Sequence, residues 1–171
     1  MTPLKMLDVG DDPYERGLIH GRTLAGEVLE NAETYLAMFK SNGMTRDEAL
    51  AEGGRWLPVI QESHPAYAEE MRGIASGADV PENLVGMLNA RYEIAFSLFG
   101  DEARSSGAFR EPEGCTSFGL MPEATADGAT IIGQNWDWLE GVQGRTVILR
   151  ISRSDGPDII SLNEAGIVGG K

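Results

Sequence analysis

Apolar residues along the first hundred positions recur at spacings of three and four, the period of helices that bury one face. Asp12-Pro13-Tyr14-Glu15 combines an N-cap, a first-turn proline and a capping carboxylate, so a helix starts there. Leu18, Ala25, Val28, Leu29, Ala32, Leu36 and Phe39 extend it as one long amphipathic helix ending at Asn42-Gly43. Gly17, Gly21 and Gly26 weaken it intrinsically, and close packing against a neighbour is the expected reason for them. Thr45-Arg46-Asp47-Glu48 opens a second helix, which Pro58 should kink or end near Trp56-Leu57. Pro65 starts a third, stopped by Gly77, and Pro81 a fourth, running through Tyr92 and Phe96 to Gly100.

Met6 to Val9 reads as a short strand ahead of these helices. From Asp101 to Glu113 the chain is polar and aperiodic, a loop. Beyond it the period changes to two. Cys115 to Met121, a turn closed by Asp127-Gly128, and Thr130 to Trp138 form a hairpin. Arg145 to Ile151, a turn at Ser154-Asp155-Gly156-Pro157 and a return from Asp158 to Leu162 form another, with Val147, Leu149 and Ile151 on one face. The fold class is α+β: a helical N-terminal part followed by antiparallel hairpins.

Composition narrows the function. At 171 residues and 42% hydrophobic, the chain is long enough for one domain with a real core. A net charge of −13 repels nucleic acid and anionic lipid, and no apolar run approaches a bilayer span, so neither nucleic acid nor membrane is an expected partner. One cysteine forms no internal disulfide, and no basic, then apolar, secretory leader opens the sequence, so the expectation is a cytoplasmic protein. Two histidines and one cysteine offer no metal-ligand spacing, and no phosphate loop follows a strand. No metal or resident cofactor is expected.

The candidate chemistry sits at Gly114-Cys115-Thr116-Ser117. A lone cysteine is commonly a small buried hydrophobe. Cys115, however, follows a glycine whose carbonyl is sterically open to attack and precedes a hairpin. Cleavage of the Gly114–Cys115 bond by the thiol would make Cys115 an N-terminus whose α-amine can deprotonate its own thiol, the arrangement of an N-terminal-nucleophile hydrolase. On the returning strand, Asn135 and Asp137 alternate with Trp136 and Trp138. The polar pair can face Cys115 across the hairpin, and Asp137 could orient the new α-ammonium group. Alternation alone favours the plainer account, an aromatic strand with its polar residues in water. His20 and His64 read as capping or packing residues. Arg91 and Glu93 could reach the site, although pairing along the helix is the readier account.

Pro13-Tyr14-Glu15-Arg16-Gly17 with His20-Gly21, the stretch from Glu69 to Ala75, Asn89-Ala90-Arg91-Tyr92-Glu93, Gly114-Cys115-Thr116-Ser117-Phe118, Gly133-Gln134-Asn135-Trp136-Asp137 and Glu164-Ala165-Gly166 together resemble the acyl-coenzyme A:6-aminopenicillanic acid acyltransferase family, also called isopenicillin-N acyltransferase-like. The resemblance runs from about Pro13 to the last residue. It implies an αββα N-terminal-nucleophile hydrolase sandwich, here incomplete: residues 1–171 form a single partial domain, with 1–114 the helical α-chain or pro-segment and 115–171 the start of the β-chain.

It further implies a precursor that cuts itself before Cys115, Asp137 and Asn135 in the site, and Thr116 and Ser117 assisting the junction. The reaction implied is acyl transfer or hydrolysis at amide bonds or acyl thioesters through a Cys115 thioester. A small-molecule acyl donor and an amine or water are the implied partners, with acyl-coenzyme A possible as a substrate. An oxyanion-hole asparagine and a later arginine, which the resemblance implies, are not within the 171 residues. The alternative is therefore a non-catalytic fragment that needs a complementary chain, the remainder of the β-chain or a homo-oligomeric partner.

Overall fold

The opening strand is β1 (Lys5–Val9), and it pairs in parallel with a strand far along the chain, β4 (Thr146–Ile151), from Lys5 opposite Val147 to Val9 opposite Ile151. A computed structural model describes residues 4–97 and 115–170. β4 in turn pairs antiparallel with β5 (Ile159–Glu164), giving a three-stranded sheet ordered β1-β4-β5. Alternation along β4 drives Val147 and Leu149 fully into the core, as its period of two requires. Asp8 and Arg150, directly opposite in the register, form an ion pair at 2.6 Å on the other face.

Helices cover the face that carries Val147 and Leu149. They are α1 (Pro13–Thr23), α2 (Ala25–Ser41), α3 (Arg46–Ser63), α4 (Pro65–Ala78), α5 (Glu82–Asn89) and α6, described over 91–97. Asp12 caps α1 through a 2.8 Å bond from the Glu15 N–H, and Thr45 with Glu48 forms a complete capping box on α3. Val28, Tyr35 and Phe39 of α2, Ile74 of α4 and Val85 of α5 join Val147 and Leu149 in one core cluster, each with no exposed surface.

The expected single helix from Pro13 to Asn42 is broken at Leu24, whose φ of −121° and ψ of 24° leave the helical region. The cause is a conflict of faces. α1 lies tightly against α4 through its glycines, while α2 must turn its apolar stripe to the sheet, and one straight axis does not serve both. A Cβ at Gly17 would collide with the Glu70 carbonyl, and one at Gly21 with the Ile74 carbonyl; reciprocally, Gly73 admits the Tyr14 carbonyl and Gly77 that of Leu18. Close packing thus explains Gly17 and Gly21. Gly26 has nothing near its Cβ position, and the same expectation fails there. At the end of this crossing Arg16 grips the buried Glu70 with two bonds of 2.7 and 2.9 Å.

Three helix boundaries also differ from expectation. Pro58 lies inside α3, which continues to Ser63 because Trp56, Leu57 and Ile60 pack on the core to either side of it and offset the missing N–H. Gly77 does not stop α4; the left-handed residue that ends it is Asp79, at φ 54° and ψ 47°. The expected fourth helix is two, parted at Ala90, and its end at Gly100 lies outside the described residues, as does the polar loop from Asp101 to Glu113.

The remaining strands, β2 (Thr116–Leu120) and β3 (Ile131–Asn135), form a separate antiparallel pair whose turn contains Gly128 at φ 72°. Phe118, Leu120, Ile131 and Ile132 are all exposed on this hairpin. Helices and strands are segregated in sequence except for β1, and the architecture is α+β. Among the described residues no helix is long and apolar enough to cross a membrane.

Candidate active site

Cys115 lies exposed at the residue before β2, so the hairpin register determines what stands across from it. Thr116 pairs with Asn135 and Ser117 with Gln134. Directly opposed residues share a face, which places Asn135 with Thr116. β3 ends at Asn135, and the next residues curl toward Cys115, bringing the Asp137 backbone carbonyl to 3.9 Å from Sγ. The separation of polar and aromatic side chains persists past the strand end: Asn135 and Asp137 are exposed, while Trp136 and Trp138 are half-buried against the core. Gly114 lies outside the described residues, and Thr116 and Ser117 are exposed in β2.

A buried polar chain stands behind this segment. The Trp138 indole N–H donates to the Tyr35 hydroxyl at 2.6 Å, and that hydroxyl donates to Glu164 Oε2 at 2.7 Å. Arg91 pairs with Glu164 Oε1 at 3.3 Å, and its guanidinium carbon lies 4.6 Å from the centre of the Tyr92 ring. Tyr92 closes the circuit by packing on Trp138 with ring centres 5.2 Å apart. Burial, with the Glu164 charge after it, pushes the Tyr35 phenol far above its ordinary value. Burial also raises Tyr92, against the pull of Arg91, with Glu164 and Cys115 adding lesser contributions to the rise.

Glu164 is held by the turn that follows it. Asn31 donates to the Ala165 carbonyl and Asn89 to that of Gly166, both at 2.9 Å, while Asn89 Oδ1 accepts from Val168 at 2.8 Å. The Gly166 N–H donates to Nε2 of His20 at 3.0 Å. Burial pushes that imidazole down to about 4, so it is neutral and acts as an acceptor. His20 is therefore a packing residue, as expected, and His64 stands between α3 and α4 as the cap position of both. Arg91 is buried and paired with Glu164 behind the candidate site, whereas Glu93 is exposed.

The sequence pattern names Trp138 only as half of an aromatic pair and Glu164 only within the Glu164-Ala165-Gly166 stretch, and it does not point to Tyr35 at all. Tyr35 falls on the apolar stripe of α2, and a hydroxyl at a core position demands a partner; that was the available signal.

A groove of about 460 Å³ opens between the hairpin and β5, lined by Ser117, Phe118, Ile132, Gln134, Trp136 and Leu162. A larger cleft of about 590 Å³ lies near Arg16 and Arg153, away from Cys115, and its charges are satisfied internally by Arg16–Glu70, Arg153–Asp155 and Asp11–Ser154. No group of metal-ligating side chains forms among the described residues. Nor, among those residues, does a side-chain base hydrogen-bond Cys115 Sγ, so the nucleophile candidate has an acceptor carbonyl beside it and no side-chain partner to take its proton.

No family model matches the chain. Sequence relatives do. The chain is 32% identical, over 158 residues and 92% of its length, to the acyl-coenzyme A:6-aminopenicillanic-acid-acyltransferase 40 kDa form of Emericella nidulans. It is also 27% identical over 178 residues to an uncharacterized protein of Archaeoglobus fulgidus. It spans 40% of the first relative's length and 30% of the second's. The match over 92% of the chain supports its kinship with the acyl-coenzyme A:6-aminopenicillanic acid acyltransferase family.

Proposed function

We propose that the chain carries the nucleophile-bearing part of an autoproteolytic cysteine acyltransferase or amidohydrolase of the N-terminal-nucleophile class. The observation that supports this reading best is the position of Cys115, exposed at the start of a hairpin and facing the Asp137 segment, within a chain related to an acyltransferase. In the maturation step Sγ attacks the Gly114 carbonyl, the acyl group passes from nitrogen to sulfur, and the Cys115 amine is freed with a proton. Water then hydrolyses the thioester and leaves Gly114 as a carboxylate. The missing side-chain base is supplied by this new amine.

In turnover the amine takes the thiol proton, sulfur attacks the donor carbonyl, and the leaving amine or thiol departs with that proton. The resulting thioester passes its acyl group to an amine or to water, regenerating the thiol. Asp137 orients the α-ammonium group, and Asn135, Thr116 and Ser117 complete the polar surroundings of the junction. The donor is a small-molecule amide or acyl thioester, acyl-coenzyme A among them, and no resident cofactor takes part. Two stacked sheets between helices, to which the hairpin and the β1-β4-β5 sheet would each contribute, form the architecture of the whole protein. A cytoplasmic location belongs to the same reading.

Intact-mass analysis of the purified chain, before and after incubation with an acyl thioester, tests it. The expected result is a fragment beginning at Cys115 that gains the mass of the acyl group, with both events abolished by Cys115→Ala. Turnover by a chain that stays uncut would overturn the mechanism.

A further inference from the structure

The groove between the hairpin and β5 is lined by apolar and neutral polar residues, none of them charged. Two of them adjoin the pair of residues that meets at the thiol. Ser117 is two residues past Cys115, and the period of two, continued one residue back from β2, puts Cys115 on the same side. Trp136 adjoins Asp137, whose carbonyl lies 3.9 Å from Sγ. From there the register measures the groove. Gln134 stands opposite Ser117 and Ile132 opposite Gly119, about 7 and 13 Å along the strand from Cys115 at roughly 3.3 Å per residue.

Ile132 is 83% exposed, more than any other large apolar side chain among the described residues. The exposed Phe118 ring lies against Gly133, where a Cβ would meet it at 2.5 Å, so the glycine is what admits the ring to this wall. A volume of about 460 Å³ falls within the range of small-molecule pockets, about 300 to 1,000 Å³. Apolar groups held out of the core on a paired strand, next to a candidate nucleophile, are placed to receive an apolar part of its substrate.

We propose that this groove is the subsite for the acyl group of the donor, and that it takes an uncharged, apolar acyl chain laid from the thiol past Gln134 to Ile132. The subsite deepens the reading of Cys115 as the acyl-accepting thiol and depends on it. With no cation in the lining, an anionic part of a donor finds no partner there and stays outside. Ser117 and Gln134 offer hydrogen bonds at the end nearest the thiol, while Ile132 at the far end determines how long a chain gains from binding. Leu162 of β5 contributes to the lining from the other sheet.

The only cysteine in the chain makes the subsite measurable without turnover. Iodoacetamide and N-hexyliodoacetamide both alkylate Sγ with loss of iodide, and the ratio of their rates cancels the reactivity of the thiol itself. Dividing by the same ratio on N-acetylcysteine removes the difference between the reagents. The normalised ratio is expected to be about 10, because part of the six-carbon chain leaves water. Ile132→Asn should reduce it about 3-fold by removing apolar surface from the far end. Gln134→Leu should raise it, and neither variant should alter the rate with iodoacetamide alone.

A normalised ratio near 1, or one that Ile132→Asn leaves intact, would overturn the proposal. So would a ratio that falls as protein concentration rises, which would place a second copy in the groove. If Ile132→Asn does not fold, Gln134→Leu decides alone: a raised ratio supports the subsite and an unchanged one sinks it. Mass analysis for the acyl-enzyme separates the two levels. Acyl-enzyme formation without a chain preference would refute the groove and leave the nucleophile standing. A chain preference on a protein that never forms an acyl-enzyme would refute the functional reading, and with it the assignment of the groove to an acyl group.

Discussion

His20 Nε2 accepts the backbone N–H of Gly166 at 3.0 Å, a bond between residues 146 apart in sequence. It exists only while the imidazole is neutral. The native ring titrates at about 4 and an unfolded one at 6.5, so the folded state resists a proton that the unfolded state accepts. The associated stability is complete above pH 6.5 and declines as pH falls from there toward 4, by about 1.4 kcal/mol per pH unit. Urea unfolding across this window should show the slope, and His20→Gln, which keeps an acceptor but cannot be protonated there, should flatten it.

The α1/α4 crossing predicts opposite outcomes for two similar substitutions. Gly17→Ala drives a methyl group into the Glu70 carbonyl and should cost about 3 kcal/mol or more by forcing the helices apart. Gly26→Ala meets nothing and should be neutral or stabilising by up to about 1 kcal/mol. Thermal melts of the two variants compare them directly.

Arg16 and Glu70 form a nearly solvent-free pair across the same crossing. Glu70→Ala removes the one carboxylate bonded to the Arg16 guanidinium, leaving it the Gly10 and Asp11 carbonyls, and should destabilise the protein by about 3 kcal/mol. Replacing both residues together, as Arg16→Leu with Glu70→Leu, should recover most of that loss. A double variant as unstable as the single one would show that the pair does more than satisfy itself.

Asp137→Asn and Trp136→Ala separate the two sides of the segment beside Cys115. The first retains shape and loses charge; on the proposed mechanism it reduces acyl transfer by about 100-fold with little change in melting temperature. The second removes a half-buried ring and should cost about 2 kcal/mol of stability, less than a fully buried tryptophan would. Acyl-transfer kinetics, together with melting curves, reveal whether the assignments are reversed.

Much of the fold is legible in the sequence, because helix starts and strand alternation are local properties. Asp12, Thr45, Val147 and Leu149 all sit where capping chemistry and a period of two require. Helix interruptions are not local. Leu24 and Ala90 break helices whose periodicity is unbroken, because the partner surfaces, the glycine face of α4 and the turn gripped by Asn89, come from other parts of the chain. Gly77 illustrates the same limit: a glycine near a helix end signals a stop, and only the Leu18 carbonyl lying against it shows that it is a contact. At the candidate site, the exposure of Asp137 and the partial burial of Trp136 and Trp138 follow from alternation. The chain from Trp138 through Tyr35 to Glu164 does not, since its members lie 103 and 129 residues apart.

The parallel pairing of β1 with β4 has a consequence for a molecule cut before Cys115. β1 would belong to one product, and the other two strands of its sheet, β4 and β5, to the other. His20, Asn31, Tyr35 and Asn89 from the first product would remain clasped around residues 164–168 of the second. Such a cut would divide the polypeptide without dividing the core. The two pieces would share one melting transition and part only on denaturation, so loss of covalent continuity would be invisible to size-exclusion chromatography and plain on a denaturing gel.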